Sequence, residues 1–78
     1  MPSQISELRA FGLAVRLHRE RMHLSQEQLA GVAGFHRTYI GSVERGERNV
    51  TLSTISRLAR ALGITPVQLL KDADRVRQ

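Results

Sequence analysis

Apolar side chains recur along this chain at spacings of three and four, and capping residues and glycines divide them into five segments. Leu8, Phe11, Val15, His18 and Met22 mark one face of a helix from about Ile5 to Met22, with Ser3 or Ser6 as its cap and Arg9, Arg16 and Glu20 on its solvated face. Ser25, followed three residues later by Gln28, forms a capping box ahead of the apolar Leu29, Ala30, Val32 and Ala33. Gly34 then supplies the left-handed conformation that stops this second helix and turns the chain. A third helix runs from about His36 to Arg45, with Ile40 and Val43 inward and Gly46 at its end. Thr51 or Ser53 caps a fourth from about Leu52 to Leu62, whose Leu52, Ile55, Leu58, Ala59 and Leu62 keep helical spacing. Val50 anchors the preceding loop, and Arg57 and Arg60 lie on the outer face of this helix. Thr65-Pro66 opens a fifth helix that reaches about Ala73, and the final DRVRQ is expected to be loose. Gly34, Gly46 and Gly63 close helices and Pro66 opens one, so the prediction is all-α, with five helices and no sheet.

The segment from Ser25 to Gly46 is therefore a helix-turn-helix. On the outer face of its second helix, Arg37, Thr38 and Ser42 stand about one turn apart, where all three can point into a groove of DNA. Composition agrees with that reading. Twelve basic and seven acidic residues give a formal charge of +5, and eleven of the twelve are arginine, whose planar fork suits phosphates and guanine edges. With 78 residues the chain is expected to be one domain with a thin core that oligomerisation would help. Cysteine is absent, and neither a membrane-length apolar run nor a signal peptide is present, so a bacterial cytoplasmic, nucleoid-associated protein is expected. His18, on the apolar stripe, reads as a partly buried histidine. Together with His23 and His36 it lacks the spacing of a helical metal pair, so neither a metal nor another cofactor is expected.

Gln26, Leu29, Ala30, Gly34, Ile40, Val43, Glu44 and Gly46 resemble the matching positions of the lambdoid repressors and Cro proteins, the Xre family. Within that family, the run from His36 to Asn49 is similar to the RTYI…ER…RN of restriction–modification controller proteins. The resemblance, from roughly Phe11 to Leu70, implies a five-helix, lambda-repressor-like DNA-binding domain. It also implies an ion pair between Arg19 and Glu44 that fixes the angle between the first and third helices.

Roles follow from the helical geometry and the resemblance together. Gln26 bonds a phosphate and sets the register on the duplex. Arg37 contacts the O6 and N7 of guanine, Thr38 a thymine methyl, and Ser42 a base or a phosphate, with His36 grouped beside them at the head of the helix. Tyr39 presents its hydroxyl to a phosphate, and the alternative is stacking in the core. Arg48 and Asn49 reach the sugar-phosphate backbone from the following loop. Ile64, Val67 and Leu70 fall three apart beside the fifth helix and are expected to form a dimer surface, the alternative being closure of the monomer core.

The expected protein is a homodimeric regulator of transcription on a pseudo-palindromic operator in double-stranded DNA, with no membrane or small-molecule partner. A phage-type repressor or an antitoxin would use the same helix, and an interaction module that has lost DNA binding is a further alternative. An enzyme is disfavoured, because no paired carboxylates, phosphate loop or nucleophile–histidine pair stand out.

Overall fold

The computed structural model describes residues 5–77, and among them it contains five helices and no strand: α1 (Glu7–Arg21), α2 (Gln26–Ala33), α3 (Arg37–Glu44), α4 (Leu52–Ala61) and α5 (Pro66–Arg77). Local chemistry accounts for most of their ends. Ser6 caps α1 by accepting from the Arg9 N–H, while Ser3 lies outside the described residues. Ser25 and Gln28 make both bonds of the capping box, Gln28 N–H to Ser25 Oγ at 3.0 Å and Ser25 N–H to Gln28 Oε1 at 2.8 Å. Thr51, not Ser53, caps α4, and Thr65 accepts from the Gln68 N–H at the head of α5. Gly34 closes α2 at φ +82°, and its N–H and that of Phe35 both return to the Ala30 carbonyl.

The core is assembled from one face of each helix, with Leu29, Ile40, Leu58, Leu69, Val15 and Val43 the largest fully buried side chains. Burying a side chain of this kind contributes roughly 1.5–3 kcal/mol. Val50, Ile55 and Ile64 pack against this cluster from its edge.

Two expectations about helix faces and one about a helix end need correction. On α1 the buried face is Ala10, Phe11, Gly12, Ala14 and Val15, whereas Leu8 is half-buried and Met22, the C-cap residue, is exposed. Leu52, the first residue of α4, is 74% exposed, and the buried residues of that helix are Thr54, Leu58 and Ala59. The third concerns the end of the chain, since α5 does not stop near Ala73 but continues to Arg77. There Val76 and Arg77 are half-buried against α1, and Arg77 Nη1 lies 3.7 Å from Glu7 Oε2. Asp74 to Arg77 are therefore helical, Asp74 and Arg75 standing exposed while Val76 and Arg77 lie toward α1 beyond the core residues Leu69 and Ala73; Gln78 lies outside the described residues.

His18 is the partly buried histidine expected from its place on the stripe. Its Nε2 lies 2.6 Å from Asp72 Oδ2 and ties α1 to α5. An ionised carboxylate only accepts, so the ring nitrogen donates. This hydrogen bond holds the Asp72 carboxyl below the usual carboxylate range, against the opposing effect of burial and with added help from Gln68 Nε2 at 2.9 Å.

Candidate nucleic-acid interface

The turn between α2 and α3 is short, and the seating of α3 depends on α1. Arg19, on α1, donates from Nε to Glu44 Oε2 (2.7 Å) and from Nη2 to Glu44 Oε1 (3.0 Å), a two-pronged pair at the C-terminal end of α3. Its third nitrogen donates to the carbonyl of Leu24, in the loop before α2 (2.8 Å). Glu44 is only 5% exposed, and the carboxylate it offers raises the affinity of the Arg19 guanidinium for its proton. Desolvation of both ions offsets much of their attraction, so the pair defines an angle between helices more than it adds net stability. It joins α1 to α3 as the family resemblance implies.

Gln26 takes part in the same network. Its Nε2 donates to Glu44 Oε1 at 3.0 Å, so the residue expected at a phosphate is also anchored to the end of α3. Gly12 makes the close approach of α1 and α3 possible. A β-carbon there would stand 2.3 Å from the Val43 carbonyl oxygen and 2.5 Å from that of Glu44. The sequence signal of such an approach is an isolated glycine in the middle of an amphipathic helix, and Gly12 is one.

Held in this way, α3 presents its first turn to solvent. His36 is its N-cap but makes no side-chain capping bond, and His36, Arg37 and Thr38 are exposed. Arg48 and Asn49 are exposed in the loop that follows. Tyr39 is half-buried against the core, with its ring centroid 4.9 Å from that of Phe35 and the Arg48 guanidinium 5.5 Å from its own.

Ser42 does not stand on the exposed face. It is 7% exposed, its hydroxyl donates to the Tyr39 carbonyl at 2.8 Å and accepts from Arg48 Nε at 3.3 Å, and its neighbours Gly41 and Val43 are buried as well. Five residues beyond Arg37 along a helix, the chain has rotated well past the direction in which Arg37 points. Arg57 is the second correction. Instead of lying free on the outer face of α4, it donates from Nε to the Ala33 carbonyl (3.2 Å) and from Nη2 to that of Gly34 (2.6 Å), at the open C-terminus of α2. Nothing in the spacing of α4 signals this, because the partners lie more than twenty residues away.

Of the three residues expected at a dimer surface, Val67 is 63% and Leu70 46% exposed, whereas Ile64 precedes α5 and packs against the core. Among the described residues, no helix is long and apolar enough to cross a membrane.

A helix-turn-helix family model matches residues 15–69, more than half of the chain. The chain is 62% identical over 56 residues to the control protein C.SmaI of Serratia marcescens, covering 72% of this chain and 67% of that one. The structure of the restriction–modification controller protein C.AhdI from Aeromonas hydrophila superposes with a TM-score of 0.80 at 48% identity, over 83% of this chain and 98% of that one. The controller C.Esp1396I, solved as a tetramer in complex with its natural 35 base-pair operator, has the same fold, with a TM-score of 0.83 at 23% identity over 94% of this chain and 96% of that one. With its capping box, its turn glycine and its Arg19–Glu44 pair, the chain belongs to the Xre-type helix-turn-helix family and, within it, to the restriction–modification controller proteins.

Proposed function

We propose that the protein is a sequence-specific DNA-binding regulator of transcription that serves a restriction–modification system and acts as a homodimer on a pseudo-palindromic operator. The observation that carries this reading is the exposed first turn of α3, with Arg37 and Thr38 on it, held at a set angle by the buried Arg19–Glu44–Gln26 network in a chain of net charge +5. Arg37 reads a guanine edge, Thr38 lies beside it, and Arg48 and Asn49 hold the backbone. The role assigned to Ser42 changes: through its hydroxyl it orients Arg48 and makes no base contact itself.

The two-fold partner docks on α5, where Val67 and Leu70 leave apolar area uncovered. Operator binding by the C.Esp1396I tetramer supports an oligomeric mode here as well. The protein acts on the bacterial chromosome, hence in the cytoplasm at the nucleoid, and its role is binding, not catalysis. It represses its own promoter and activates a neighbouring gene from operators upstream of its coding sequence.

Selection of bound fragments from a random DNA pool tests the reading. The expected product is a short motif with two related halves that also occurs just upstream of the protein's own coding sequence. Recovery of no enriched sequence overturns it.

A further inference from the structure

The end of α2 is joined to the loop after α3 by a series of side-chain contacts that begins outside the helix-turn-helix. Arg57 of α4, fixed by its bonds to the Ala33 and Gly34 carbonyls, places its guanidinium carbon 3.9 Å from the centroid of the Phe35 ring. Phe35 meets Tyr39, the two ring planes inclined by 31°. Tyr39 meets the Arg48 guanidinium, and Ser42, bonded to the Tyr39 carbonyl, accepts from Arg48 Nε. Gly34 leaves the space that this arrangement needs, because a β-carbon there would stand 2.7 Å from Arg57 Nη2. Arg57 is thus connected to Arg48 through two aromatic rings.

We propose that Arg57 is a positioning residue for DNA recognition: from α4 it fixes Phe35, Phe35 fixes Tyr39, and Tyr39 sets where Arg48 stands beside the exposed turn of α3. The proposal rests on the DNA-reading function above. A long arginine side chain loses much rotamer freedom when it is held on a phosphate, and a protein that already restricts it in the free state loses less on binding. The task suits arginine and not lysine. A planar fork can donate to two adjacent carbonyls while its face lies on a ring, whereas an ammonium is a point charge without a face.

The test compares Arg57→Lys and Phe35→Leu with the wild-type chain, each with and without Arg48→Ala. Both single variants keep the net charge, so a role for Arg57 as a simple phosphate contact predicts almost no effect from Arg57→Lys. NMR of the free proteins should show the Tyr39 ring and Arg48 side-chain resonances moving in both variants. Titration of the duplex recovered by selection should show that Arg48→Ala loses at least about threefold less affinity in either background than in the wild type. An Arg48→Ala factor that is the same in all backgrounds, or resonances that stay in place, overturns the proposal. Absence of any binding by the wild-type chain would defeat the DNA-reading function instead, and the free-protein resonances would then still decide whether Arg57 sets Arg48.

Discussion

Gly12 of α1 lies under the last turn of α3 so closely that a β-carbon would stand 2.3 Å from the Val43 carbonyl oxygen, inside any real contact distance. Alanine at this position would gain about 0.5–1 kcal/mol of helix propensity. Backbone on the facing side cannot move aside as a flexible side chain can, so the overpacking cost of roughly 1–3 kcal/mol prevails. Gly12→Ala is therefore expected to lower the melting temperature and, by tilting α3, to weaken binding to all DNA sequences alike. A variant as stable as the wild type in thermal unfolding would show that the helices separate freely.

Removing one member of the Arg19–Glu44 pair strands the other in a buried place. Glu44→Ala leaves the Arg19 guanidinium and Gln26 Nε2 without their acceptor, and a loss of about 3–5 kcal/mol is expected for either single variant. The double variant should cost less than the sum of the two. Urea unfolding of all four proteins measures this, and strictly additive losses would show that the two side chains act independently.

Asp72 makes stability depend on acidity. Its carboxyl sits below the usual range because the folded protein favours the ionised form, mainly through His18. Such a group contributes stability that is fully present above the unfolded carboxylate value of about 3.9 and is lost as the pH falls through the lowered folded value. Asp72→Asn should therefore be less stable than the wild type at pH 6, and the difference should shrink below about pH 4. Equilibrium unfolding across that range checks the sign, and a gap that persists unchanged in acid contradicts it.

Reading and holding can be separated on the DNA-facing surface. Arg37→Ala is expected to cost on the order of 1–3 kcal/mol on the selected site and to relax preference at one base pair in each half-site. Arg48→Ala should weaken selected and scrambled duplexes alike and flatten the salt dependence by about one unit per subunit. Ser42→Ala, which removes a buried hydroxyl, should cost about 1 kcal/mol of stability and leave base preference intact. Anisotropy titrations at several salt concentrations distinguish the three, and an Arg37→Ala protein of unchanged specificity would refute the reader.

The α5 surface is tested by mass. Leu70→Glu places a charge in the uncovered apolar stripe beside Val67 without touching the core residue Leu69. Sedimentation at micromolar concentration should show a wild-type dimer and a variant monomer. A strictly monomeric wild type, with no effect of the substitution, would sink the assignment.

Caps, turns and helix periodicity are local, and for that reason the five helices, the capping box at Ser25, the left-handed Gly34 and the exposed Arg37 and Thr38 could all be read from neighbouring residues. His18 was legible as half-buried, but not its partner. Asp72 lies 54 residues away, and only the packing of α5 along α1 brings the two together. The same packing carries α5 on to Arg77 through a stretch that is polar in sequence, since a helix needs only one buried side to be held. Ser42 and Arg57 were misplaced because a residue's direction on a helix becomes inside or outside only when its neighbours are known. Ser42, expected at a base or a phosphate, is buried, and Arg57, expected on the outer face of its helix, clasps the end of another helix. Local hydrogen bonding is written in residues three or four apart, whereas the clearance at Gly12 and the reach of Arg57 depend on surfaces that exist only after distant helices have met.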